Sequence, residues 1–239
     1  MNPIYEPKGK AKEYGDYAIN IYTGCSHRCF YCFAPNVLRK DRETFHSCVE
    51  PRKNIVEEVR KQIERSGITG KLIHLCFTCD PYPTGYDSTP TREIIKILKA
   101  SGNHVQILTK GDGSRDFDLL DSGDWYGITY AGYDDINLYK TQDCEPGAPP
   151  PARRLSTLAL AHGMGIKTWV SMEPVLNARD CLTWLQLASR CIDLYKIGKL
   201  NYHPSDIDWK KFGHDAERLC ITNGLNYYIK DSLRAEMEK

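Results

Sequence analysis

The sequence predicts an α/β chain in which parallel strands alternate with helices and wrap into an open or closed barrel of about six strand–helix units. Short β-rich runs alternate with helical stretches along the chain, and no shift of composition marks a domain boundary. The residues able to do chemistry also recur just after the strands, where parallel α/β folds place their sites. At 239 residues, one domain covering residues 1–239 can use the whole length.

Ala18 to Thr23 alternates apolar and polar positions and reads as the first strand, followed directly by a cysteine-rich loop over residues 24–34. From Pro51 to Ser66, Ile55, Val56, Val59 and Ile63 share one helical face, and Gly67 with Gly70 stops the helix. Leu72 to Thr78 is the second strand. The next helix takes Thr89 as N-cap and Pro90 at its first position, presents Ile94, Ile95, Ile97 and Leu98, and ends near Gly102. His104 to Thr109 is the third strand, Phe117 to Leu120 a short helix, and Trp125 to Tyr130 the fourth strand. After the breaker Pro149–Pro151, Arg153 to His162 forms a helix with Leu155, Leu158 and Ala159 inward. Ile166 to Met172 is a strand, Arg179 to Ala188 a helix and Leu194 to Ile197 the sixth strand. A helix around Asp206 to Ile221 and a last short strand near Asn226 to Ile229 complete the pattern.

Composition narrows the function classes. Hydrophobic residues at 41% with charged residues at 26% describe a globular chain. No apolar run approaches the ~20 residues of a bilayer-spanning helix, and Met1 to Tyr14 is polar and Lys-rich without a signal-peptide centre. A cytoplasmic protein without membrane partners is expected. A net charge of +1 does not support binding to nucleic acid by bulk electrostatics. Met1 to Lys71 carries a mild excess, thirteen Lys and Arg against nine Asp and Glu, which reads as solvated surface. Ten unevenly spaced cysteines do not make a secreted disulfide scaffold, so thiols used at all serve a metal or a reaction.

The strand ends collect polar residues. Gly24, Cys25, Cys29 and Cys32 follow the first strand; Thr78, Cys79 and Asp80 the second; Thr109 and Lys110 the third; Thr129 and Tyr130 the fourth; Glu173 and Pro174 the fifth; Lys199 and Asn201 the sixth. Cys25, Cys29 and Cys32 have the spacing C-x3-C-x2-C, and three thiols within eight residues can converge on one centre. A structural zinc site wants four protein ligands, often as two CxxC pairs, and a second pair is not obvious. Zinc completed by His27 or a distant cysteine is the alternative, and it makes the chain a non-catalytic metal module that binds a partner macromolecule. An iron–sulfur cubane held by three thiolates leaves one iron open to a small molecule.

These three cysteines match the signature of the radical SAM superfamily, and the string Ile21, Tyr22, Thr23, Gly24, Cys25, Ser26, His27, Arg28, Cys29, Phe30, Tyr31, Cys32 resembles its spore photoproduct lyase-like branch. The resemblance runs from about Tyr17 to about Val175. It implies a partial (β/α)6 TIM-type barrel, a [4Fe-4S] cluster on Cys25, Cys29 and Cys32, and S-adenosylmethionine (SAM) on the fourth iron. It further implies reductive cleavage of SAM to a 5′-deoxyadenosyl radical, and an electron donor such as flavodoxin or ferredoxin. Tyr31 resembles the aromatic that packs near adenine, Thr78 with Cys79 and Asp80 a Thr-Ser-Asp run, and Thr109 with Lys110 a Thr-Lys pair whose lysine contacts the SAM carboxylate. A cation at a strand mouth suits a carboxylate; a snorkelling surface lysine is the plain alternative. Glu145, Pro146 and Gly147 with Arg154 resemble the segment and helix arginine after the fourth strand, the alternative for Arg154 being a surface pair with Glu145 or Asp143.

The chain departs from that branch in several places. Phe77 stands where the lyase has its hydrogen-donating cysteine, and Cys79 replaces a serine, which makes Cys79 a candidate catalytic thiol. Gly127 replaces a fourth-strand serine and leaves Thr129 as the nearest hydroxyl. Strand alternation points Phe77 and Cys79 to one side and Cys76 to the other. As a CxxC, Cys76 and Cys79 are therefore expected not to be a redox pair, being on opposite faces and away from a helix start. Glu173 is a candidate for the SAM ribose or the substrate, with a pair to Lys196 or Lys199 as its alternative. Lys199 and Asn201, in a polar group with Lys196, Gly198 and His203, are candidate substrate residues. A nucleic-acid lesion or base is the first substrate class to consider, on the resemblance alone. Cys181 and Cys191 read as core.

Overall fold

A computed structural model describes residues 2–132 and 143–239. Among these residues seven parallel strands form one sheet in the order in which they occur along the chain. They are β1 (Tyr17–Ile19), β2 (Leu72–Leu75), β3 (His104–Thr109), β4 (Trp125–Thr129), β5 (Lys167–Met172), β6 (Leu194–Ile197) and β7 (Tyr227–Ile229). Parallel neighbours need long crossovers. These include α1 (Ala34–Leu38), α2 (Arg42–Ser47) and α3 (Ile55–Ser66) before β2, and α4 (Thr89–Ala100) before β3. A 3-10 turn (Ser114–Leu119) precedes β4, α5 (Pro151–Gly163) precedes β5, α6 (Ala178–Leu187) precedes β6, and α7 (Trp209–Thr222) precedes β7, after which α8 (Asp231–Met237) closes the chain. The architecture is the partial α/β barrel that the sequence implies, with a seventh short strand beyond the six full units.

Most element ends fall within a few residues of their sequence reading, and the differences have local causes. The third helix starts at Ile55 rather than near Pro51, because Pro51 is bridged to Tyr22 and Asn54 takes a left-handed φ of 54°. The α4 cap is Ser88 rather than Thr89, whose amide and hydroxyl are both held by Asp87. The second strand ends at Leu75, because Cys76 adopts φ 71° and residues 77–79 bend.

Alternation along the strands divides the barrel into an apolar outside and a polar inside. Ile73, Leu75, Val105, Ile107, Tyr126, Ile128, Val170, Met172, Tyr195 and Ile197 are fully or almost fully buried in the hydrophobic core that the helices complete. On α4, Ile94, Ile95 and Leu98 are its buried face, each contributing about 1.5–3 kcal/mol by leaving water. Inside the barrel His74 Nδ1 meets Gln106 Oε1 at 2.9 Å, and the Trp169 indole donates to the Ile107 carbonyl at 2.9 Å. A β-carbon at Gly127 would come within 2.1 Å of Trp169 Nε1, so the glycine makes room for the indole.

The sheet order leaves β1 and β7 as its two ends, and the N-terminal segment reaches from one to the other. Tyr5 and Ala18 exchange backbone hydrogen bonds beside β1, while Glu13 lies 3.5 Å from Lys230, just past β7. Between them Tyr14 enters the barrel against His74, Phe77 and Trp169, with ring centroids 5.0, 5.4 and 5.9 Å away.

Candidate active site

A chamber of about 570 Å³ opens at the C-terminal ends of the strands, within the range of small-molecule sites. Cys25, Cys29 and Cys32 all line it, so the cysteine loop and the barrel mouth form one site. The loop is fixed from two sides. Arg42 on α2 donates to the carbonyls of Cys29, Phe30 (2.7 Å) and Cys32 (3.1 Å), and His46 Nδ1 lies 2.8 Å from the Cys25 carbonyl. On the other side the Phe30 amide donates to the Cys144 carbonyl and the Gly147 amide to that of His27, each at 3.1 Å. Gly147 is pressed so closely that a β-carbon there would lie 2.0 Å from the Ser26 carbonyl oxygen.

The three thiols suit a metal centre that supplies its own charge. Burial raises the pKa of all three, Cys29 to about 12, so each needs a cation beside it to ionise. Lys110 lines the chamber, its ammonium 5.4 Å from the centre of the Tyr31 ring. Burial disfavours its charge, but Cys29 and Glu145 outweigh this and hold its pKa above the ordinary lysine value. The Thr78 hydroxyl, at the chamber wall, is buried without a partner among the described residues, as is the Ser26 hydroxyl. Three thiols with an incomplete donor set, a buried ammonium and an orphaned hydroxyl fit a three-cysteine cluster with a polar ligand beside it.

Asp80 ties the strand ends to the loop. Its carboxylate accepts from Thr109 Oγ1 (2.5 Å), the Lys110 amide (2.9 Å) and the Tyr82 amide (2.8 Å), and lies 3.3 Å from His27 Nδ1. Burial alone would raise its pKa; His27, Thr109 and the Lys110 amide together bring it down to about 2. The Glu145 segment makes a second tie. Tyr31 donates to Glu145, and Glu145 pairs with Arg154, which also donates to the carbonyls of Pro149 (2.8 Å) and Thr129 (3.2 Å).

Tyr31, Thr78, Cys79, Lys110, Thr129, Glu173, Lys199 and Asn201 all line the chamber. Arg154 is not part of the chamber wall; it is buried behind it, and its pair with Glu145 is internal rather than at the surface. Glu173 pairs with Lys230, not with Lys196 or Lys199, and also meets Tyr14 Oη (3.4 Å) and Asn201 Nδ2 (3.0 Å). Lys199 pairs with Glu236. Lys196 donates to the Glu13 carbonyl at 3.0 Å beneath Tyr14, and burial brings its pKa down to about 8. The alternation expected at Cys76–Cys79 does not hold, because the strand has ended, and both residues line the chamber. Cys181 is fully buried and Cys191 partly so.

Four contributors went unread. Tyr14 and Lys230 are remote in sequence from every motif, and Arg42 and His46 belong to a short helix without strong periodicity. A usable signal for α2 was Asp41, whose carboxylate caps the helix by accepting from the Thr44 amide at 2.8 Å.

Comparison with known proteins agrees with this geometry. The Radical SAM superfamily model matches residues 19–176, about two-thirds of the chain. An uncharacterised protein of Mycobacterium tuberculosis is 31% identical over 172 residues, covering 67% of this chain and 49% of that one. An uncharacterised protein of Methanocaldococcus jannaschii is 30% identical over 181 residues, covering 74% and 64%. The chain thus spans about half the length of its mycobacterial relative. Among solved structures, spore photoproduct lyase complexed with dinucleoside spore photoproduct superposes with a TM-score of 0.70 at 15% identity, over 96% of this chain and 79% of that one. Streptococcus suis SuiB bound to precursor peptide SuiA gives 0.67 at 12% identity, over 92% and 50%. At these identities the likeness is one of fold.

Proposed function

The chain belongs to the radical SAM superfamily, and from that premise we propose that it holds a [4Fe-4S] cluster on Cys25, Cys29 and Cys32 and cleaves SAM reductively to act on a substrate in the chamber. The single observation that carries this reading is the convergence of those three cysteines with Lys110 and Thr78 on one chamber wall. The chemistry a bound cluster supplies there is one-electron reduction of the sulfonium of SAM.

The chain's own residues do the positioning. Lys110 offers its ammonium to the SAM carboxylate, through a charge-assisted hydrogen bond. Tyr31, fixed through its hydroxyl to Glu145, presents its ring to adenine, and Thr78 and Thr129 offer oxygens to the polar parts of SAM. Glu173, Lys199 and Asn201, on the β5 and β6 side, are the substrate-facing group, with Cys79 as the candidate thiol. Arg154 acts through Glu145 rather than on SAM.

A nucleic-acid base or lesion is the substrate class to test first, because the dinucleoside complex of spore photoproduct lyase shares this fold. The near-neutral charge favours a compact base-sized target over an extended duplex interface. An acidic one-electron carrier of the flavodoxin or ferredoxin kind supplies the electron.

Alanine at Cys25, Cys29 or Cys32 is expected to abolish the brown colour of the reconstituted protein, with iron falling from about four per chain to background. A colourless wild type carrying one zinc would overturn the proposal. For the substrate, titration with oligonucleotides at two salt concentrations decides. Binding that weakens steeply with salt marks phosphate contacts, and absence of binding removes nucleic acid.

A further inference from the structure

The cluster uses three of the ten cysteines and leaves a second pair, Cys76 and Cys79, in the wall of the same chamber. Had β2 continued, these sulfurs would face opposite ways. Instead Cys76 takes φ 71°, a conformation that costs a residue with a β-carbon about 1–3 kcal/mol. Local hydrogen bonds hold the bend. The Cys76 amide donates to the Ile19 carbonyl at 2.8 Å, and Asn20 Oδ1 accepts from the amides of both Phe77 and Thr78 at 2.9 Å.

The two cysteines stand three residues apart at this bend, and both line the chamber. Their surroundings make them unequal. Cys79 Sγ accepts from the Tyr22 amide at 3.4 Å. Burial works against a Cys79 thiolate, but the Cys76 thiol, the Tyr22 and Ile21 amides and Arg52 outweigh it and lower the Cys79 pKa. Burial, with the Cys79 neighbour, pushes Cys76 well up. With a backbone amide donating to it, Cys79 is the sulfur better placed to carry a thiolate, and Cys76 the one to resolve a mixed disulfide.

We propose that Cys76 and Cys79 form a redox-active dithiol site, open to the chamber, that closes reversibly into a disulfide by exchange with a small disulfide. The Cys79 thiolate attacks one sulfur of the small disulfide RS–SR, forming Cys79–S–SR and releasing one RS⁻. Cys76 then attacks the Cys79 sulfur as its proton passes to a departing RS⁻, which forms the Cys76–Cys79 bond and releases the second thiol. Two protein thiols are oxidised and one disulfide is reduced to two thiols. Because Asp80 follows Cys79 directly, closure acts on the carboxylate that binds Thr109, the Lys110 amide and the His27 side of the cluster loop.

The test uses the anaerobic, cluster-loaded full chain and bis(2-hydroxyethyl) disulfide, with acid quenching, iodoacetamide and tryptic mass spectrometry. The peptide from Leu72 to Arg92 contains both cysteines and no other. It is expected to lose both alkylatable thiols, appearing two hydrogens lighter, and to regain them with dithiothreitol. Cys76→Ser is expected to stop at a mixed disulfide on Cys79, and Cys79→Ser to slow reaction at Cys76 by at least about tenfold. The proposal fails if exposed Cys48 reacts while this peptide still takes two alkyl groups, or if both thiols carry separate adducts. The wild-type mass readout stands even if a variant does not fold. It needs no SAM cleavage, so its failure leaves the cluster assignment untouched.

Discussion

Asp80 stays charged in a buried site because four groups from three chain segments converge on it. Its folded pKa of about 2 lies below the ordinary carboxylate value, so its stabilisation is full above about pH 4 and is lost as pH falls through about 2. Asp80→Asn is expected to cost about 1–3 kcal/mol at neutral pH, with the gap to wild type narrowing between about pH 4 and pH 2 in denaturant titrations; a gap independent of pH would contradict this. Arg154 and Glu145 form a buried pair with side chains 1% and 0% exposed. Arg154→Ala is expected to lower stability by about 3–5 kcal/mol, because it strands a buried carboxylate. A loss below about 1 kcal/mol would return the arginine to a ligand-binding role. At this scale the sequence exposed the cysteines, because their spacing is local. It did not expose Tyr14 or Lys230, since their meeting with Glu173 depends on residues far apart in the chain.

The strands and longer helices were legible because each has a period and a stop. Leu194–Ile197 and His104–Thr109 have the ends their apolar runs indicate, and α4 buries Ile94, Ile95 and Leu98 of the four apolar residues its pattern selects, with Ile97 only partly buried. The end of β2 was not legible, because Cys76 and Phe77 continue an apolar run that only the backbone turn interrupts. That one residue changes the face of everything from Cys76 to Asp80. The cysteine loop depends on a contact between elements rather than on either alone. Gly147→Ala would drive a β-carbon into the Ser26 carbonyl, and the expected result is a folded protein that retains several-fold less iron after gel filtration. Iron retention equal to wild type would show that the Glu145–Gly147 segment does not brace the loop.

Across the whole molecule, seven parallel strands in chain order bring the cysteine loop after β1, the Asp80 bend after β2, Lys110 after β3 and Glu173 after β5 to one mouth. No helix among the described residues is long and apolar enough to cross a membrane. The decisive measurement is product analysis after anaerobic reconstitution with iron and sulfide and addition of dithionite and SAM. Formation of 5′-deoxyadenosine by wild type, and its loss in the Cys25, Cys29 and Cys32 alanine variants, is the predicted result; a fully cluster-loaded protein that yields none would contradict it.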